Sequence, residues 1–369
     1  MLSDAYRYQS VKNGSMLFDV KASANGPIVN EIRLSANEYL HISIKLYKDL
    51  NFLETEWLVG PINVTDNISK EIIVQYNTDL FNNAEFFTDS NGRQMLKRIL
   101  FQRPTWNFTI IDPIASNYYP VTNRIHINDR RYRFTVLTDR AQGGSSLRNG
   151  QIELMLHRRL LKLANTDLLE PINEISQGRG LVVRGKHRLL FSDGNNKKNS
   201  IREKKQVIEF HLQPIILISE SSQIPLEKWL KLTHKDVSFT NTLPEGIHLL
   251  TVEPFGDNKI LLRLENYLDV GDKKHDAIDV NLATIFKTIT VTSYKETKLA
   301  GNMWKTDYKK HHWRHEAAFS TNFNDDYGRY GDLKAAKEGG RGKDVIDEDF
   351  VINLRAKEIR SFIVEYEHL

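Results

Sequence analysis

The sequence predicts an all-β protein built of packed antiparallel sheets. Three observations carry that expectation. Apolar residues recur at every second position over short runs, as in Ile42, Ile44 and Leu46, the pattern of strands buried on one face. Clusters of Gly, Pro, Asn and Asp separate the runs, as in VGPINVTDN, SNGRQ and GDNK, where the chain must turn. Helical periodicity is thin throughout, so sheet on sheet is the remaining way to bury the apolar faces.

Taken in order, the expected strands are 15-SMLFDVKAS-23, 28-IVNEIRLSA-36, 39-YLHISIKLY-47, 54-ETEWLV-59, 71-EIIVQY-76, 123-NRIHIND-129, 132-YRFTVLTD-139, 151-QIELMLHRRL-160, 206-QVIEFHLQP-214 and 260-ILLRLENYL-268. The stretch 245–270 reads as a hairpin turning at Gly256-Asp257, and 349–366 as two closing strands. Short helices fit Pro225 to Leu232 and Asn281 to Phe286. The segment 316–344, rich in Gly and charge and poor in β-branched residues, reads as a long, partly disordered insertion. The basic cluster from Asn195 through Lys205 has no interleaved aromatic residue and reads as a solvated loop. Two domains are expected, 1–225 and 226–369, the second carrying the insertion at about 303–344.

Composition narrows the function. Lys and Arg number 51 against 47 Asp and Glu, so no dedicated nucleic-acid surface is expected. No apolar run approaches the ~18 residues of a spanning helix, and no membrane partner is expected. Without cysteine there are no disulfides, thiolate sites or cysteine nucleophile. Four N-x-S/T sequons, at Asn13, Asn63, Asn67 and Asn107, are candidate N-glycosylation sites and point to a lysosomal or secreted chain. MLSDAYRYQS contains no charged region followed by an apolar one, so no signal peptide is visible. A secretory body without an entry signal reads as a piece of something longer.

The stretch 138-TDRAQGGSSLRNGQIELMLHRRL-160 invites a catalytic reading. Gly143-Gly144 lacks the lysine of a phosphate-binding loop, and Ser145-Ser146-Leu147 lacks the glycine spacing of a nucleophile elbow. The glycines are expected as positive-φ turn positions. Three histidines in 311-HHWRH-315 have no ligand spacing, because adjacent strand side chains point to opposite faces. Asp89, Asp112, Asp139 and Glu153 are candidate carboxylates for glycoside chemistry, but no neighbour distinguishes any of them.

The runs EWLVGPINVTD, KEIIVQYNTDL, FFTDSNGRQMLKR, RPTW, NYYPVTNRI, LTDRAQGGSSLRNGQIELMLHRRLLK and LEPINE resemble the C-terminal portion of the lysosomal-type α-mannosidases of glycoside hydrolase family 38. The resemblance implies a large, galactose mutarotase-like β-supersandwich followed by a smaller immunoglobulin-like sandwich. It implies a zinc-dependent, retaining hydrolase of terminal α-mannose on N-glycan-derived oligosaccharides. In that family the zinc ligands, nucleophile and acid/base carboxylate lie in an N-terminal half. Accordingly no cofactor and no catalytic residue are expected in this chain, which alone should be inactive, and the N-terminal catalytic half is its expected partner. Two sugar-contacting elements of the β half carry over, a tyrosine onto Tyr6 of 3-SDAYRY-8 and an arginine onto Arg158 or Arg159 of 157-HRRL-160. Asp4 stands where the family has glycine, and strand alternation sends the two arginines opposite ways. The alternative is a free-standing, non-catalytic carbohydrate-binding or interaction protein derived from such an enzyme.

Overall fold

A computed structural model describes residues 14–107, 109–161, 171–194, 198–218, 220, 223–232, 240–270, 272, 277–309 and 350–368. Tyr6, Asn13, the 311–315 histidines and the insertion from residue 310 onward lie outside the described residues. The chain divides into two compact units, Met1–Ile215 and Ile216–Leu369.

The first unit contains β1 (Asp19–Asn25), β2 (Val29–Asn37), β3 (Leu40–Tyr47), β4 (Leu53–Val59), β5 (Lys70–Asn77), β6 (Glu85–Ser90), β7 (Gln94–Ile99), β8 (Tyr119–Val121), β9 (Arg124–Asn128), β10 (Tyr132–Thr138), β11 (Gln142–Ser145) and β12 (Gln151–Arg159). The small β13 (Ile175–Ser176) and β14 (Arg179–Gly180), the long β15 (Val183–Asp193) and helix α1 (Lys198–His211) follow. A nine-stranded antiparallel sheet runs β1-β2-β3-β4-β15-β10-β9-β6-β7, and a four-stranded sheet runs β5-β12-β11-β8. Period-two alternation explains the layers: Ile125, Ile127, Phe134 and Val136 of the large sheet meet Ile152 and Leu154 of the small one in a closed core.

β15 escaped the sequence reading because Arg184, Lys186 and Arg188 alternate with its core positions and Gly185 interrupts them. Gly185 pairs with Trp57, and a side chain at Gly185 would collide with the Trp57 ring. The two sheets are also joined by hydrogen bonds through the core. Gln142 of β11 donates Nε2–H to the Met155 carbonyl at 2.6 Å, which turns its Oε1 toward His187 Nε2 at 2.7 Å. His187 therefore carries its proton on Nε2, and Nδ1 accepts from the Tyr76 hydroxyl at 2.9 Å. The Tyr76 oxygen in turn lies 2.9 Å from the Thr55 hydroxyl. Burial, with the Arg140 charge adding to it and Asp139 opposing, pushes the His187 imidazole down to about 3. Burial and the charges of Arg133 and Arg124 likewise hold His126 well below the usual histidine range.

Two expectations are corrected. The 206–214 strand and much of the 195–205 loop are instead α1, because Val207 and Phe210, three residues apart, share one helical face and bury against Phe52, Leu137 and Leu190. Glu203 of α1, also buried, accepts from Thr135 Oγ1 at 2.9 Å, and Arg202 reaches the Asn51 carbonyl. Secondly, Gly143 and Gly144 are not turn glycines. They lie inside β11 with ordinary φ, while Gly150 holds φ 75° in the next turn. A Cβ at Gly144 would stand 2.7 Å from Val121 Cγ2 and 2.9 Å from Leu154 Cδ2, so that glycine serves close packing.

The second unit holds α2 (Leu226–Leu232), β16 (Ile247–Pro254), β17 (Lys259–Asn266), β18 (Ile278–Asn281), β19 (Ile289–Thr297), β20 (Val351–Leu354) and β21 (Ile359–His368). A four-stranded sheet, β16-β17-β21-β19, and the pair β18-β20 enclose Leu262, Leu264, Leu282, Leu354, Phe362 and Val364. The hairpin turns at Gly256, with φ 93°, and the expected helix near Asn281 is one 3-10 turn, Leu282–Thr284.

Acid should loosen this fold. His187 stays neutral when folded but takes up a proton at the usual 6.5 when unfolded. Its contribution is therefore complete above 6.5 and is lost as pH falls toward about 3, at up to ~1.4 kcal/mol per pH unit. Urea midpoints should fall from pH 7 to pH 4.5, and His187→Gln should flatten that slope. A slope unchanged by the substitution would contradict the neutral-histidine account. Gly144→Ala should cost about 1–3 kcal/mol by overpacking, read from the same unfolding curves at pH 7.

Candidate functional site

The face of the four-stranded sheet turned away from the core carries a polar ladder between β5 and β12. Gln151 Nε2 donates to Asn77 Oδ1 at 2.9 Å, and Gln75 Nε2 to Glu153 Oε2 at 2.6 Å. Glu153 is 2% exposed, and its other oxygen accepts from the Tyr118 hydroxyl. Tyr118 fits there because Gly143 has no side chain: a Cβ would stand 3.4 Å from the Tyr118 ring and 2.9 Å from Met155 Sδ. The ladder ends where Arg158 Nη2 meets Glu71 Oε1 at 2.6 Å.

A β-bulge decides which arginine joins it. Met155 pairs with Ile73 but His157 pairs with Ile72, so Leu156 is the extra residue. Plain alternation would put His157 and Arg159 on the Glu153 face. Beyond the bulge the parity reverses, Arg158 stands opposite Glu71, and Arg159 stands opposite Lys70. Arg159 instead donates to the Ile62 carbonyl and to Asn173 Oδ1, each at 2.7 Å, and packs its guanidinium where a Cβ on Gly180 would come within 2.5 Å. Its partners are structural, a buried main-chain carbonyl and a loop amide. Burial lowers the pKa of His157, whose Nε2 faces the Leu181 carbonyl at 3.3 Å.

This ladder borders a cleft of about 1230 Å³ lined by Glu71, Gln75, Glu153, Gln151 and Arg148 on its polar side and by Leu34, Ile42, Ile44 and Trp57 on its apolar side. Amides, a carboxylate and a guanidinium along one wall can donate to and accept from hydroxyl groups. Of the other carboxylates singled out from sequence, Asp89 accepts the backbone N–H groups of Thr122, Asn123 and Arg124. Asp112 caps the turn at Ile114 and Ala115, and Asp139 accepts from Lys186 N and from Arg140. These three hold loops in place. Ser145 donates to the Asn117 carbonyl at 2.8 Å in the core, and Ser146 Oγ to the Arg148 carbonyl. Neither serine faces a base. Glu71, Gln75 and Tyr118 were not picked out by sequence; the signal for the first two was their odd-numbered parity on β5 opposite Glu153.

Among the described residues no group of three or more His, Asp or Glu could hold a metal ion, and no step through zinc is assigned to them. No described helix is long and apolar enough to cross a membrane. Asn63, Asn67 and Asn107 are exposed. The Asn63 sequon folds on itself, Oδ1 accepting from Thr65 N at 2.9 Å and Thr65 Oγ1 at 2.8 Å.

Residues 3–165 match the glycosyl hydrolases family 38 C-terminal domain. The chain is 37% identical over 303 residues to the lysosomal alpha-mannosidase of Bos taurus, covering 78% of this chain and 29% of that protein. It is 36% identical over 293 residues to the Homo sapiens counterpart, covering 78% and 28%, and 32% identical over 353 residues to an alpha-mannosidase of Canavalia ensiformis, covering 92% and 34%. The chain thus spans about a third or less of these relatives. In fold it is similar to a glycosyl hydrolase family 38 protein from Enterococcus faecalis, with a TM-score of 0.50 at 12% identity, over 94% of this chain and 36% of that one.

Arg158→Ala takes away the cation that faces Glu71, whose side chain is 10% exposed. The expected loss is about 1–3 kcal/mol, with Arg158→Lys recovering part of it. Equal denaturation midpoints for wild type and Arg158→Ala would show that the pair is idle.

Proposed function

Since the chain belongs to glycosyl hydrolases family 38 through its C-terminal, β-rich portion, we propose that it is the non-catalytic β half of a lysosomal-type α-mannosidase, which removes terminal α-mannose from N-glycan-derived oligosaccharides. In this reading the chain completes a mannose site whose zinc and nucleophile are supplied by an N-terminal catalytic portion. One observation carries it. The bulge at Leu156 brings Arg158 onto the face that holds Glu71, Gln75 and Glu153 and against Glu71, which itself lines the cleft, and a fixed guanidinium there can donate to sugar hydroxyls. Arg159, anchored on Ile62 and Asn173, has the positioning role, and Tyr6 is the second proposed sugar contact. Three exposed sequons support passage through a glycosylating compartment to the lysosome or outside the cell.

The chain alone should show no turnover of an aryl α-mannoside with added zinc. Co-expressed with the catalytic portion of a family 38 enzyme, it should restore turnover. In that complex Arg158→Ala should lower kcat/KM by about 10–100-fold, the loss of one or two charge-assisted hydrogen bonds, with Arg159→Ala acting mainly on thermal stability. Turnover by the chain alone would refute the reading. Oligomannose binding by the chain, with no turnover in either preparation, would favour the free-standing carbohydrate-binding protein.

A further inference from the structure

We infer that the ground beneath α1 holds a site for one small inorganic anion of the chloride type, taken up together with a proton on His126. The inference stands apart from the mannosidase reading. Three buried side-chain atoms there have no hydrogen-bond partner among the described residues: His126 Nδ1 on β9, Arg133 Nε on β10 and Gln206 Oε1 on α1. Buried polar atoms of a folded chain are nearly always paired, so three orphans in one place point to a ligand.

Strand pairing and helix geometry bring the three together. His126 stands opposite Thr135 across β9 and β10, and Thr135 Oγ1 donates to Glu203 Oε1 at 2.9 Å. Arg133, two residues from Thr135 on the same face, brings Nη1 to the same oxygen at 3.5 Å. Glu203 thus seats α1 above this point of the sheet. At about 100° per residue, Val207 and Gln206 fall on opposite flanks of Glu203. Val207 joins Leu137 and Leu190 over β10 and β15, so Gln206 is turned the other way, over β9. Phe87 stacks on the His126 ring at 4.6 Å and fixes its plane.

Charge decides the class of ligand. The ionisable groups around His126 are Arg124 on β9, Arg133 on β10, Glu203 on α1, Asp89 on β6 and the Lys97–Glu85 pair of β7 and β6. Lys204 falls on the Val207 flank of α1, away from β9. Arg124, Arg133 and Lys97 balance Glu203, Asp89 and Glu85 only while His126 is neutral. Both buried carboxylates are engaged elsewhere, Asp89 by the N–H groups of Thr122, Asn123 and Arg124 and Glu203 by Thr135 and Arg133. Burial, then Arg133, then Arg124 hold the imidazole low, and no carboxylate offsets them. A proton on His126 therefore leaves one unmatched buried cation, which is costly without a counter-charge. An anion entering with the proton removes that cost. The three orphan positions then become three donors to it: His126 Nδ1–H, Arg133 Nε–H and, once the amide is rotated, Gln206 Nε2–H. With Arg124 2% and His126 and Glu203 each 4% exposed, the site is closed and admits a single ion, not a sugar. The ion would bridge β9, β10 and α1. Because proton and anion each raise the affinity for the other, this clamp on α1 tightens in acid.

Melting curves of the whole chain in sodium chloride and in sodium methanesulfonate, at an equal ionic strength of about 0.15 M, test this, since methanesulfonate is too large for the closed site. At pH 5 chloride should raise the melting temperature by about 2–4 °C over methanesulfonate, and at pH 7.5 by under about 1 °C, the behaviour of a ligand at several times its Kd that needs the proton to bind. The His187 contribution is the same in both salts and cancels. His126→Phe, which keeps the stack on Phe87, should erase the difference at pH 5. Gln206→Leu, at a half-buried helix position, should at least halve it and keeps the test open if the first variant does not fold. Crystals grown at pH 5 with sodium bromide should show an anomalous peak between His126 Nδ1, Arg133 Nε and the Gln206 amide. Equal melting temperatures in the two salts at pH 5, an equal chloride effect at both pH values, or a chloride effect that survives both substitutions would overturn the proposal. So would bromide found on the surface alone, an adventitious ion only.

Discussion

The first unit depends on a buried histidine that is bonded at both ring nitrogens. His187 stands on the large sheet, and both side chains that hold it, Tyr76 and Gln142, stand on the small one. Apolar packing is non-directional and would tolerate a slide of one sheet over the other. Two hydrogen bonds of fixed direction do not tolerate it, and a polar group left unpaired there would cost the full desolvation of that group. The network thus fixes the register of β5 and β11 against β15, and with it the position of everything on the outer face of the small sheet.

That outer face is where chemistry is concentrated. Glu153 and Ile152 are neighbours on one strand, yet one joins a polar ladder and the other a closed core. A single extra residue, Leu156, then changes which of two adjacent arginines faces Glu71. The bulge converts a sequence ambiguity into a definite arrangement, with Arg158 against Glu71 and Arg159 tied into the frame beneath Gly180. The glycines of β11 act at the same level. Gly143 leaves space for Tyr118 on the outer face, and Gly144 lets Val121 and Leu154 close on the inner one.

The sandwich is also visibly uneven. Where both sheets are present, between β5–β12 and the centre of the large sheet, the core residues are closed to solvent. Toward β1 the large sheet continues without a facing layer among the described residues, and its apolar side chains become progressively exposed. The chain covers under a third of the length of its mammalian relatives.

Alternation and turn residues were enough to determine an all-β fold and to place β2, β3, β4, β5, β9, β10, β12 and β17 within a residue or two, because period two is a local property that any half-buried strand must show. The same local logic failed where another demand shared the residues. In β15 it was the basic outer row, and in α1 the core contacts of Val207 and Phe210 decided for helix over the strand propensity of VIEF. Family membership was likewise legible in consecutive blocks of sequence. The polar face of the small sheet was not, since the choice between Arg158 and Arg159 depends on an unpaired residue opposite β5, and the partners of Glu153 come from residues 75 and 118, far along the chain. Spacing in sequence determines which side of a strand a residue takes; only the pairing of distant strands decides what stands across from it.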